Sequence, residues 1–322
     1  ICVLGAAADD AFVRSAVAEA AAVSGMLLVG HRRVEAVHRR FERELLDDLV
    51  DRRLVDPDRT MGRARRIGWP HRRPYVVVVA GRRRQAAGPL DPVLELGLGE
   101  DTLATFTRTL RGLPFQARVF LRRPGLCVVV HLEESSEARM AGEAAVERLL
   151  SASGVPWVAE RLVAGVGRPR TTLPELADGF RDAALAVLTS PRLRNGSARV
   201  EHFADLGAGR LTAQVDDRGA LEAMAAAALG PLADPALPGR DELLQTLAVL
   251  LDHNMSIAET AAELFFHYNT VRHRLGRLRE LLGERLSTPA GRTSLALAVA
   301  ALRVARAEDE VLAPGRPSAA AA

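Results

Sequence analysis

Arginines stand at 272, 274, 277 and 279 within one short stretch, and no acid interrupts them until Glu280. Asn269, Thr270 and His273 lie just ahead of or among them. These side chains suit recognition chemistry. Arg can hold guanine bidentately, Asn can do the same to adenine, and Thr can touch a thymine methyl. Bond-making chemistry is harder to assemble. No serine sits in a G-x-S-x-G elbow. The HRR triplets at His31, His38 and His71 lack metal-ligand spacing. G-V-G-R-P at Gly165–Pro169 lacks the Gly-Lys-Ser/Thr element of a P-loop and reads as a tight strand-to-helix turn. Cys2 and Cys127 make neither a disulfide framework nor a Cys-rich metal site, and fit a reducing compartment. No catalytic residue, metal or cofactor is expected.

The arginines need elements to aim them. Ser256 and Glu259 fit an S-x-x-E capping box, which starts a helix at Ser256. Ile257, Ala261 and Leu264 form its inner face. A turn at Phe265–His267 follows. Val271, Leu275, Leu278 and Leu282 then give a second helix its core stripe. This is the pattern of a helix-turn-helix, whose second helix presents its N-terminal half to base edges in the major groove. The candidate DNA-contacting residues are Ser256, His267, Tyr268, Asn269, Thr270, Arg272, His273, Arg274 and Arg277, with Arg277 placed to touch phosphate. Phe265 stands where glycine often permits the left-handed turn. A helix over Arg240–His253 leads this pair and another over Thr293–Arg306 closes it.

The upstream chain reads differently. Tyr75–Gly81 (YVVVVAG) is a buried strand. Asp101–Leu110 is a helix with Asp101 as cap. Gln116–Leu121 and Leu126–Leu132 form a hairpin around Pro-Gly. A helix over Ser136–Ser153, a strand over Leu162–Gly167, a helix over Leu173–Leu188 and a strand at Val200–Phe203 complete a βαββαβαβ order. That order predicts an α+β sandwich of ferredoxin type. Residues 1–30 read as an αβ piece with MLLVG as an apolar run. Phe41–Leu54 is amphipathic, and its partner is either the following domain or the same helix of a second subunit. The closing stretch from Glu308 has no means of packing and is expected to be disordered.

The totals set the bounds. All 43 basic residues of the 322-residue chain are Arg, with a net charge of +3 and a pI near 9.4. Between His31 and Arg84 there are 16 Arg against 8 Asp and Glu. No apolar run approaches the ~20 residues that span a bilayer, and no signal-peptide pattern opens the chain. A cytoplasmic protein is expected. Its first residue is Ile1, not Met, which is consistent with a missing upstream portion.

The stretch from Leu243 to Gly283 resembles the C-terminal helix-turn-helix of the PucR/CdaR-type bacterial transcriptional regulators. Leu244, Thr246, Leu247, Leu251, Asn254, Thr260, Ala261 and Leu264 carry the resemblance, with Asn269, Thr270, Val271, Arg272, Arg274 and Leu275 above all. The middle of the chain, through YVVVVAG, RPGLCVVV and VAGVGRPRTTLPELADGF, resembles a degenerate GGDEF-like domain. Active nucleotide cyclases of that fold carry an acidic motif in the hairpin turn. Here the turn is Arg123, Pro124, Gly125 and Leu126, without the carboxylates that phosphate-bridging Mg²⁺ ions need. Glu133 and Glu134 follow the hairpin as a surface helix cap.

The resemblance implies a multidomain α+β chain in which a ferredoxin-like, GGDEF-type central domain precedes an all-α helix-turn-helix domain. The expected boundaries are a partial sensory region and helical linker at 1–72, the GGDEF-like domain at 73–205, and a helical connector at 206–239. The reading head follows at 240–307, and a tail at 308–322. It implies a DNA-binding regulator acting on double-stranded DNA, as a homodimer or higher homo-oligomer, under a small-molecule effector and away from membranes. The alternative is a metabolite- or nucleotide-sensing module whose terminal bundle binds a protein partner.

Overall fold

The structure is a computed structural model and describes residues 11–53, 56–70, 73–83, 90–91, 100–111, 113–133, 137–151, 162–190, 193, 198–215 and 217–312. The expectations for residues 1–10, Glu134, Ser136, His71 and 313–322 lie outside the described residues. The chain divides into two compact units, residues 1–71 and 72–322.

In the first unit, α1 runs from Ala11 to Val50 as one 40-residue helix. The MLLVG run, expected apart from the helix, is part of it. A run of five apolar residues carries no period that separates strand from buried helix. The Ala-rich segment ahead of it, rich in good helix formers, propagates through. The helix α2, Pro57–Arg66, starts on Asp56, whose side chain accepts from the Asp58 and Arg59 amides. Pro57 takes the first helical position, where its missing N–H costs nothing. Leu45, Leu46, Leu49, Ala64 and Trp69 are buried, and Arg63 Nη1 lies 2.8 Å from Asp48. Phe41, which opens the amphipathic stretch, is exposed.

The second unit opens with β1, Tyr75–Arg83, and the short β2, Leu90–Asp91. Next come α3 (Glu100–Leu110), β3 (Ala117–Arg122), β4 (Gly125–His131), α4 (Ala138–Leu150), β5 (Leu162–Val166), α5 (Leu176–Thr189) and β6 (Val200–His202). The sheet order is β3-β4-β1-β5-β6, with β2 on the end of β1. β1 is antiparallel to β4 and to β5, with Val79 opposite Cys127 and Val78 opposite Val166. β5 and β6 are parallel and joined through α5. The first four long strands give the ferredoxin-type order that the sequence predicts. Asp101 lies inside α3 rather than capping it, because the helix already includes Glu100. Glu133 ion-pairs with Arg73 at 3.9 Å, and the N-cap position of α4 is Glu137.

β1 is apolar from Val76 to Ala80 because both of its faces are covered there. Val76, Val78 and Ala80 share a core with Phe106, Leu110, Ala145, Val146 and Leu149 of α3 and α4. On the other face α5 lies so close that a Cβ on Gly165 would sit 2.1 Å from the Ala183 carbonyl oxygen. The G-V-G-R-P segment is a strand-to-helix turn: Arg168 (2.8 and 3.1 Å) and Arg170 (2.7 Å) converge on the buried carboxylate of Asp182. The hairpin turn also needs its glycine, since a Cβ on Gly125 would meet the Ala80 oxygen at 2.1 Å.

Among the described residues seven α-helices follow: α6 (Ala208–Thr212), α7 (Arg218–Leu229), α8 (Arg240–Asp252), α9 (Ile257–Leu264), α10 (Tyr268–Leu282), α11 (Glu284–Ser287) and α12 (Pro289–Leu312). Leu221, Leu229, Leu247, Leu250, Val271, Leu275, Leu278 and Leu295 meet in one core. α12 belongs to two cores. Leu295 and Ala298 pack on the head, whereas Val304 and Ala307 pack on Leu185, Ala186, Phe203 and Ala213. The helix runs past Glu308 to Leu312, where disorder was expected. Glu308 ion-pairs with Arg181 and Asp309 with Arg218, and these long-range partners hold the last turns in place.

Candidate nucleic-acid interface

α9 begins where the capping residue places it. Ser256 Oγ accepts from the Glu259 amide at 3.4 Å. The reciprocal half of the expected capping box is replaced. The Ser256 amide donates to the His253 carbonyl at 2.9 Å, and the Glu259 carboxylate turns instead to His253 Nδ1 at 3.4 Å. His253 Nε2 also meets Glu263, and that hydrogen bond holds the imidazole pKa above its usual value. The corner between α8 and α9 is further fixed by two left-handed residues, Asn254 and Met255.

The turn between α9 and α10 contains the irregular residue. Phe265 is left-handed, with φ 54° and ψ 37°, and its ring is 71% exposed. A non-glycine residue in this region costs on the order of 1 kcal/mol. The strain lets the Phe265 and Phe266 amides donate to the Ala262 and Ala261 carbonyls, closing α9. His267 then caps α10, its Nδ1 accepting from the Asn269 amide at 3.3 Å.

Val271, Leu275, Leu278 and Leu282 are buried to 4% exposure or less, as the stripe predicts. At about 100° per residue, this stripe fixes where every other side chain of α10 points. Asn269 and His273 fall on the opposite side. Arg272 and Thr270 flank that side, one on each edge, and Gly276 and Arg277 lie further along the outward face. All of these except Gly276 are exposed, and Tyr268 at the start of the helix is 47% exposed. A Cβ on Gly276 would meet nothing within 4 Å.

Arg274 lies only about 70° from the stripe, and the structure turns it inward. Its Nη1 donates to Thr246 Oγ1 at 3.3 Å, its other terminal nitrogen pairs with Glu242, and its guanidinium covers the Phe266 ring at 4.6 Å. The side chain braces α10 against α8 and does not point to solvent with its neighbours. Ser256 is likewise occupied as a cap, and His267 as both a cap and an exposed side chain. Gly276 is the outward residue that side-chain chemistry alone overlooks. The signal that finds it is a glycine inside a helix with no neighbour requiring it.

Among the described residues, no group of three or more His, Cys, Asp or Glu is arranged to hold a metal ion. No described helix is long and apolar enough to cross a membrane.

Residues 243–301 match the PucR C-terminal helix-turn-helix domain, and residues 51–188 match the GGDEF-like domain. The terminal head is thus similar to the helix-turn-helix of PucR regulators. The purine catabolism regulatory protein of Bacillus subtilis (strain 168) is 25% identical over 288 residues, covering 87% of this chain and 52% of that protein. The chain thus spans about half the length of that curated relative. A solved regulator of polyketide synthase expression from Bifidobacterium adolescentis is 18% identical, with 84% of this chain and 93% of that one aligned at a TM-score of 0.38.

Proposed function

We propose that this chain is a sequence-specific DNA-binding transcriptional regulator that reads the major groove with α10. One observation carries the reading. α10 buries a complete apolar stripe while the opposite side carries Asn269 and His273, flanked by Arg272, Thr270 and Arg277. The match to a PucR helix-turn-helix domain supports it. Asn269, Thr270, Arg272 and His273 are the proposed base-reading residues. Arg277 and Tyr268 meet the backbone. Ser256, His267 and Arg274 position the head through their caps and ion pair.

A single head makes few base contacts, so two copies on a two-fold site are the route to affinity. The pairing surface is proposed on α1. Val23, Met26, Leu27, Val37 and Phe41 are exposed, and at about 100° per residue they fall on one face of the helix. The regulator acts in the cytoplasm under a small-molecule effector.

The test is fluorescence anisotropy of the full chain on DNA flanking its own gene and on random duplex, at a series of salt concentrations. The reading expects tighter binding to one flanking site, with affinity on both duplexes falling as salt rises. No binding to either duplex at low salt contradicts it.

A further inference from the structure

Among the described residues of the second unit, three that are not glycine take the left-handed backbone region: Asn254, Met255 and Phe265. Asparagine enters that region more readily than other side chains. Met255 packs against the core of the head, so burial offsets its strain. Phe265 has neither compensation. It is bulky, and its side chain is largely exposed. A glycine there would offer the same two amides to the Ala262 and Ala261 carbonyls, without the clash of a Cβ. Folding alone therefore does not account for a phenyl ring at this position. A strained residue that the fold leaves uncompensated points to a function at its site.

The position narrows what covers the ring. Phe265 stands two residues ahead of His267, the cap of α10. Aromatic residues make up only 4% of the chain, yet three fall within residues 265–268, and all three are exposed. Phe266 is engaged by the Arg274 guanidinium at 4.6 Å, and Tyr268 carries a hydroxyl suited to phosphate. Phe265 is the ring left for an apolar partner. In helix-turn-helix docking the N-terminal end of the second helix enters the major groove, so the turn just ahead of it comes up against the groove. Of the groups that base pairs present there, the thymine 5-methyl is apolar and the rest donate or accept hydrogen bonds.

We propose that Phe265 is a specificity-determining residue whose ring packs on a thymine methyl at the edge of the bound site. This rests on α10 being the DNA-reading helix and extends that reading into the turn.

The test removes the methyl from the DNA. The full chain is bound to its preferred duplex, selected from a randomised pool, with each thymidine replaced in turn by deoxyuridine. Wild type is expected to bind about three- to four-fold more weakly when one particular thymine loses its methyl, the effect of unburying one methyl-sized group. Phe265→Gly, which relieves the backbone, is expected to bind the thymine and uracil forms at that position equally. Phe265→Leu, which keeps an apolar side chain, is expected to retain part of the difference. A chain that binds no duplex overturns the DNA reading and this assignment together. Sequence-specific binding with no methyl dependence in wild type, or with the same dependence at every position in Phe265→Gly, overturns this assignment alone.

Discussion

At the scale of single residues, Gly276 separates stability from function most cleanly. Inside an exposed helix a glycine is about 1 kcal/mol worse than alanine, and no contact in the protein recovers that, since a Cβ there would meet open space. Gly276→Ala is therefore expected to raise the free energy of unfolding by about 0.5–1 kcal/mol, read by denaturant titration. If the outward face of α10 lies on DNA, the same variant binds its site more weakly. A gain in stability with unchanged affinity places the interface elsewhere. Arg274 is the opposite case, a basic residue whose partners are all internal. Arg274→Ala removes a half-exposed ion pair and a stacked ring, and is expected to cost about 1–2 kcal/mol of stability. Its effect on DNA affinity should be equal for specific and random duplex, because it holds the helix and reads no base. A selective loss on the specific site contradicts that role.

At the scale of elements, the head was legible because helical burial writes itself at a spacing of 3.6. Val271, Leu275, Leu278 and Leu282 predict α10 as a helix with that buried stripe, and Ser256 predicts the start of α9. The inward turn of Arg274 was carried by its angle from the stripe, which a count of arginines does not weigh. The second half of the capping box was lost to His253, a competitor for Glu259 three residues upstream of the cap. The sheet was legible from its β-branched run, whereas the last turns of α12 were not. Their partners, Arg181 and Arg218, lie far away in sequence. The sheet also holds a pH-sensitive group that sequence does not reveal. His131 at the end of β4 is fully buried, edge-on to Tyr75 at 6.0 Å, and burial depresses its pKa to about 3, with Arg118 and Arg73 adding to the shift. Its folded pKa lies below the unfolded value of about 6.5. Below that value the unfolded chain takes a proton that the folded chain refuses, so stability falls with pH at up to about 1.4 kcal/mol per unit. His253 has the opposite sign: its contribution is present below about pH 6.5 and is lost as pH rises through its raised folded pKa. The difference between wild type and His131→Phe isolates the buried group. Urea titrations between about pH 6.5 and 5 should show a shallower slope for the variant, and equal slopes contradict this assignment.

At the scale of the whole molecule, α12 belongs to two cores at once, so the GGDEF-like domain and the head are built as one structure and not as beads on a linker. In the first unit the long helix α1 presents an apolar face that nothing among the described residues of that unit covers. Pairing of two copies through that face predicts that Leu27→Glu with Val37→Glu lowers the sedimenting mass from dimer to monomer, with helical content retained. A dimer that survives both changes rules out that surface. The central claim is that α10 reads bases. Its most direct test compares Arg272→Ala with Arg277→Ala across a set of sites with each base pair substituted in turn. The account predicts that Arg272→Ala loses about 1–3 kcal/mol on the preferred site and no longer distinguishes one base pair. Arg277→Ala should weaken all sites alike and flatten the salt dependence. An Arg272→Ala variant that loses equally on every sequence, with its base preferences intact, contradicts the claim.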